Sequence, residues 1–243
     1  MRIGRILTPT GPAYARFDGE RWRGIADPFA AFAVGESPAD TGVEIAGDLL
    51  APCAPFLVVG IAQNGPEHHS PVQAWLKSPR SVVASGRTVT LRRDAGTTVV
   101  EGEIAVVIGR DTEGLTEANA HEYVLGVTAV NDISSPDRTA LDPRNYEGKG
   151  GDGYTPLGPW IDTEIDIDNA SLELVIDGET VASTGTAELP SSIRACIAYV
   201  AGWTRLGPGD VIMTGAPVAN SPAQPGAVVE VAIAGMRLIT PTA

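Results

Sequence analysis

The chain has 243 residues, 43% hydrophobic and 19% charged, which is the make-up of a globular protein with one large core. A formal charge of −13 and an aromatic content of only 5% argue against a basic, base-stacking surface, so neither nucleic acid nor an anionic membrane is an expected partner. Cys53 and Cys196 are too few and too far apart for a disulfide framework, no run approaches the roughly 20 apolar residues of a membrane span, and the first residues lack the apolar core of a signal peptide. A cytoplasmic location is the expectation.

Residues 1–50 read as a small β-rich appendage to a main body over 51–243. RIGRIL and YARFDGERWRGI are strand-like, and Asp18-Gly19 is a hairpin turn signal. FAVGESPADTGVEIAGDLLAPCAP reads as a less structured link. Beyond it, short apolar runs alternate with Gly/Pro turns without a regular βαβ rhythm. The strand FLVVGIA leads into QNGPEHHSPVQ, a turn-rich segment carrying His68 and His69. Loops at strand ends often carry catalytic groups, and histidine titrates near neutral pH. Two solvated loop histidines fit the same segment.

VVEGEIAVVIG reads as a strand, so Glu101 and Glu103 project to one face with Gly102 between them. GVTAVNDIS is a second β-branched run, with Asp132 at its end. If these strands are neighbours, three negative groups converge beside apolar residues and require a cation. On spacing alone, a pair of solvated glutamates on an edge strand is the competing reading. TEANAHEYVLG is expected to be a helix capped by Thr116 and ending near Gly126, with His121 in its middle. GKGGDG (148–153) matches G-x-G-x-x-G, but Pro156 and Pro159 in the following YTPLGPW forbid the helix a dinucleotide site needs. Lys149 is followed by Gly150 and not by Ser or Thr, so no Walker A loop exists. The lysine is either exposed or held against the carboxylates, where it could stabilise an oxyanion.

LELVIDGETVAS reads as a two-residue-loop hairpin and VVEVAIAGMRLI as another strand pair. SSIRACIAYVAGWTRLG reads as a helix capped by Ser191 or Ser192, with Ile193, Ile197, Val200 and Leu206 on its apolar face. The fold class is α+β, mostly β: a mixed sandwich or roll and not a doubly wound sheet. No G-x-S-x-G and no zinc-ligand spacing is present.

Taken in order, VVGIAQN, WLKSPRSV, VVEGEIAVVIG, VTAVNDIS, GKGGDGYTPLGPW, ELVIDGE and LGPGDVIMTGAP resemble the fumarylacetoacetate hydrolase family from Val58 to Ile239. The resemblance implies that family's mixed β-sandwich roll, a homodimer, and a divalent metal bound by Glu101, Glu103 and Asp132 with Lys149 facing it. Three carboxylates without sulfur or imidazole suit a hard cation, Mg2+ with Mn2+ as a working substitute. The same match puts Lys77, Asp152 and Gly215 on the substrate side. NDISSPDRTALDPRNYEGKGGDGYTPLG looks closest to the homoprotocatechuate-pathway branch, which contains the isomerase/decarboxylase acting on 2-oxo-heptenedioate-type diacids, including 2-hydroxyhepta-2,4-diene-1,7-dioate isomerase.

Departures from the family pattern are confined to other positions. After Asn64, His68 stands at the distance of the family's lid histidine, but the lid glutamate three residues on is replaced by Pro71, and only Glu67 is nearby. Pro136, Ala182 and Ala216 stand where an arginine, a glutamine and a threonine are usual. The implied activity is an isomerase or decarboxylase acting on a small 2-oxo acid or its enol through a metal-stabilised enolate, with His68 moving the proton and Glu67 or His69 orienting it. The alternatives are hydrolysis of a 1,3-diketone C–C bond and a non-catalytic metal-binding relic.

Overall fold

Short β-branched runs punctuated by Gly and Pro fold into a mostly β structure; the computed structural model describes residues 1–62 and 72–243. Strands β1 (Arg2–Thr8), β2 (Gly11–Phe17), β3 (Trp22–Ile25) and β4 (Asp40–Glu44) come first, with helix α1 (Pro28–Ala33) before the last of them. They are followed by β5 (Val58–Ala62), β6 (Gln73–Lys77), β7 (Val82–Ala84), the long β8 (Thr98–Ile108) and β9 (Val124–Asn131). Two single-turn helices, α2 (Pro136–Thr139) and α3 (Tyr146–Lys149), precede β10 (Thr155–Asp162). The rest is a hairpin of β11 (Ser171–Ile176) and β12 (Glu179–Gly185), helix α4 (Ile193–Trp203), β13 (Val211–Met213), β14 (Asn220–Ala223), and a hairpin of β15 (Val228–Ile233) and β16 (Met236–Pro241).

These strands make two sheets. The larger runs β4-β3-β2-β1-β10-β9-β8-β13-β5-β6, with β7 beside β10 and β14 beside β8; the smaller runs β12-β11-β15-β16. The pairs β5–β13 and β7–β10 are parallel in an otherwise antiparallel arrangement, so the large sheet is mixed. β1 pairs with β10 through Ile3↔Ile161, which makes the N-terminal strands an extension of the main sheet.

β8 lies near the middle and is buried on both faces. Val100, Ile104 and Val106 point into a core shared with Leu172 and Leu174 of β11, Val229 and Val231 of β15, and Ile193, Ile197 and Val200 of α4. Ala105 and Val107 point the other way, onto Val130, Leu157, Ile161, Val211 and Met213. A strand with two apolar faces reads as a continuous hydrophobic run, as VVIG does, and any carboxylate on it sits in a low-dielectric setting.

Both hairpins and α4 form as expected. Asp177 (φ 52°) and Gly178 (φ 85°) make the tight β11–β12 turn, and Ser192 caps α4 by accepting from Ala195 N at 3.1 Å. Leu206 is buried beyond the end of that helix. The expected helix from Thr116 is instead a 3-10 turn over Glu117–Tyr123, and Val124–Gly126 already belong to β9. Leu125 and Val127 fill the two cores from that strand, and this burial outweighs the helical spacing. Asp40–Glu44, within the stretch expected to be less structured, pairs with β3 as the sheet edge. No helix among the described residues is long and apolar enough to cross a membrane.

At Gly126 β9 lies close against β10, because a Cβ there would overlap the Asp162 carbonyl oxygen and press on Ile161. Neither neighbour can swing away, since one is backbone and the other is core. Gly126→Ala is expected to cost about 1–3 kcal/mol. Urea denaturation should show a lower midpoint at unchanged slope.

Candidate active site

The register of β8 against β9 brings the acidic residues together. Gly102 pairs with Asn131 and Glu103 with Val130, and Asp132 N donates to the Glu101 carbonyl at 2.8 Å. Side chains alternate along each strand, so Glu101 and Glu103 share the face of Ala105 and Val107, and Asp132 shares that of Val130. One oxygen from each of the three carboxylates lies within 4.8 Å of the others. Glu103 and Asp132 are buried, at 4% and 1% exposure, so this is not a solvated pair on an edge.

Two lysines enter the cluster from different elements. Lys149 ends α3, whose turn is tied down by Lys149 N to Asn145 O at 2.9 Å and by Ser135 N to Gly148 O at 2.7 Å. Gly148 lets Thr139 approach, and Gly151 lets the Tyr154 ring pack against the chain; a Cβ at either would overlap its neighbour. The glycine-rich segment is therefore a packed device for delivering one ammonium. Lys149 Nζ donates to Glu101 Oε2 and to Asp132 Oδ2, the latter at 2.5 Å. Lys77, at the end of β6, donates to Asp132 Oδ1, to Ile133 O at 3.0 Å and to Tyr154 O at 2.7 Å. All three of its N–H groups are engaged within the protein, and its contact is with Asp132.

Burial works against a charged Lys149, but Asp132 and Glu101 outweigh it and raise the ammonium above the ordinary lysine value. Asp132 is likewise disfavoured by burial as an anion, yet Lys149 and then Lys77 hold it below the usual carboxylate range. Glu103 differs. Burial, then the negative charges of Asp132 and Glu101, push it well above that range, and the Gly215 N–H that donates to it at 2.7 Å offsets little of this. Among the described residues no lysine or arginine pairs with Glu103.

Asp152 is exposed in the turn between Lys149 and β10. Gly215 (φ 100°) follows β13 and presents its N–H to Glu103. His68 and Glu67 lie outside the described residues. His121 bonds to Arg194 Nη1 at 2.9 Å on the surface and takes no part in the cluster. A residue that sequence reasoning passed over is Trp75: it shares a face of β6 with Lys77 and holds its ring centre 5.0 Å from Lys149 Nζ. Its two-residue spacing from Lys77 on a strand was the available signal.

The chain that folds into these two sheets and this charged cluster belongs to a known family: the profile described as fumarylacetoacetate (FAA) hydrolase C-terminal matches residues 45–241. A 4-hydroxyphenylacetate degradation bifunctional isomerase/decarboxylase of Salmonella dublin is 36% identical over 170 residues, covering 68% of this chain and 40% of that protein. The structure of a 5-carboxymethyl-2-hydroxymuconate delta-isomerase from Mycobacterium smegmatis matches with a TM-score of 0.92 and 31% identity, covering 100% of this chain and 99% of that one. A 2-hydroxyhepta-2,4-diene-1,7-dioate isomerase from Mycobacterium marinum matches with a TM-score of 0.91 and 31% identity, covering 100% and 98%.

Lys77→Met would leave Asp132 with one cationic partner, take the lysine donor from the Ile133 carbonyl, and leave the Tyr154 carbonyl with Ile133 N alone at 3.2 Å. The expected loss is about 2–4 kcal/mol, tempered by the Lys149 contact that remains. Urea unfolding followed by circular dichroism measures it.

Proposed function

We propose that the chain is a divalent-metal-dependent isomerase or decarboxylase acting on a small 2-oxo acid or its enol. The observation that carries this reading is Glu103, a buried carboxylate beside two others with no cationic side chain of its own among the described residues. Three carboxylates faced by two lysines leave Glu103 without a positive partner in a dry setting that disfavours its anion, and a hard divalent cation would supply that partner. Glu101, Glu103 and Asp132 would hold that ion, Mg2+ or in its place Mn2+. When bound, it supplies Lewis-acid stabilisation of negative charge developing on substrate oxygen. Support for the reaction class comes from the relatives named as isomerases and as an isomerase/decarboxylase.

Around that ion each residue has a distinct task. Lys149 stays protonated and shares the developing charge from its position against Glu101 and Asp132. Lys77 fixes the Asp132 carboxylate, and Gly215 N fixes that of Glu103. Asp152 and Gly215 are proposed to face the substrate. His68, by its place after Asn64 in the family pattern, would move the proton with Glu67 or His69 orienting it. A homodimer follows from the family pattern and suits the exposed Phe56, Leu76 and Tyr146, since two-fold pairing is a common way to cover such side chains.

Titration calorimetry with Mg2+ tests the ion. Wild-type protein should bind it, and Glu103→Ala should weaken binding by more than about 100-fold. Unchanged affinity in that variant would remove Glu103 from the site. With Mg2+ present, release of CO2 from oxaloacetate or isomerisation of a 2-hydroxyhepta-2,4-diene-1,7-dioate supports the reaction class, whereas turnover restricted to acylpyruvate cleavage moves the chain to the hydrolases.

His68→Ala is expected to lower kcat by about 10²–10⁴ on whichever substrate is turned over. Mg2+ affinity should be unaffected. Turnover near wild type would transfer the proton step to His69 or to water.

A further inference from the structure

Trp75 lies beside the charge cluster, against Lys149, without itself being charged. It stands on β6 directly opposite Gly60 of β5. A Cβ on Gly60 would collide with Cζ2, Cε2 and Cη2 of the indole, so the benzo ring rests on the one position of β5 that has no side chain. The same ring system holds Lys149 Nζ at 5.0 Å from its centre. Trp75 is partly buried and packs against the core that includes Val58, Met213 and Val211, which restrains it. Bare backbone supports the indole, and the indole meets the ammonium.

We propose that Trp75, seated on Gly60, is the positioning residue for Lys149. The physical need follows from the hydrogen bonds. Lys149 sits at the end of a four-residue helix on a flexible four-carbon stem, and its ammonium donates to Glu101 and Asp132, two of the groups assigned to the metal. An incoming divalent cation competes for those carboxylates, and without a further anchor the ammonium is free to swing away. Attraction to an aromatic face persists whatever happens to the carboxylates, because the ring quadrupole is fixed. Trp75 thereby keeps the ammonium beside the cluster once the carboxylates turn to the metal. The indole acts through Lys149, and it deepens the function proposed above, on whose metal assignment it rests.

Two measurements on the intact protein test this, one of which needs no metal. The emission of Trp75 is isolated as the difference between wild type and Trp75→Phe, in metal-free protein, and compared with the same difference in a Lys149→Met background. The expected result is a shifted difference spectrum when the ammonium is removed. An identical spectrum would place Lys149 away from the ring and overturn the proposal. The second measurement is a double-mutant cycle, read as the dissociation constant of oxalate, a planar mimic of a 2-oxo-acid enolate, on Mg2+-loaded protein. Trp75→Leu should weaken oxalate about tenfold in the wild-type background and less than about twofold in the Lys149→Met background, with Trp75→Phe recovering most of the loss. Equal factors in both backgrounds, or no effect of Trp75→Leu, would show that the indole is packing alone and overturn the role. Failure of wild-type protein to bind Mg2+ would sink the metal assignment instead, and the emission result still decides whether Trp75 holds Lys149. Gly60→Ala, which pushes the ring from behind, should reproduce the loss, and Gly60→Ala with Trp75→Phe should restore part of it.

Discussion

Everything at the site depends on the alignment of β8 with β9. With Gly102 opposite Asn131, one face of the two strands carries Glu101, Glu103 and Asp132, and the other carries Val100, Ile104 and Ala129. A slip of β8 by one residue would turn Glu101 and Glu103 into the inter-sheet core and bring Val100 and Ile104 to the face of Asp132. The penalty of burying unpaired carboxylates is large enough that the two apolar faces and the acidic end specify a single register. The backbone bond from Asp132 to Glu101 continues the ladder one step past the strand, which fixes the aspartate relative to both glutamates.

Around that register the protein is built to tolerate concentrated charge. Lys77 comes from a sheet edge four strands along from β9, and Lys149 from a helix that β10 follows, so cluster and fold stabilise one another. Buried ion pairs recover their desolvation cost only with good geometry and satisfied remaining donors. Lys77 meets that condition through two carbonyls besides its carboxylate. Glu103 does not, and the same imbalance that would destabilise a purely structural cluster gives a cation a reason to bind. In the function proposed for this cluster, stability and ion binding therefore pull on the same residue in opposite directions.

Much of this was legible in the chain because the signals were local. The two-residue spacing of Glu101 and Glu103 on a β-branched run, the Asp-Gly turn at 177–178 and the serine before Ile193 each depend on neighbours in sequence. The adjacency of the two acidic strands was a condition and not a deduction, since pairing is a long-range choice. The 116–126 segment misleads because Thr116 and Asn119 do form a local capping arrangement, with Asn119 Oδ1 accepting from Thr116 N at 2.7 Å, yet the core claims the next residues for a strand. Lys77 was visible as a family anchor, but its three protein partners come from residues 132, 133 and 154 and have no trace in its own neighbourhood. Trp75 was hidden for the same reason: its partners are a glycine on the adjacent strand and a lysine more than seventy residues away.

The departures from the family pattern have a structural character of their own. Ala182 and Ala216 pack against the inter-sheet core, and Pro136 opens α2 at the position where a missing N–H costs least. Beside it, Asp137 accepts from Thr97 N at 2.8 Å and Arg138 pairs with Glu147, which braces the segment that carries Lys149. These positions, polar in the usual pattern, are given over here to packing and to support of the lysine helix. None of them contributes a charge to the cluster, so the balance among Glu101, Glu103, Asp132, Lys77 and Lys149 is independent of them. Packing at Pro136, Ala182 and Ala216 and the charge balance of the centre are thus separable, because the first is steric and the second is electrostatic.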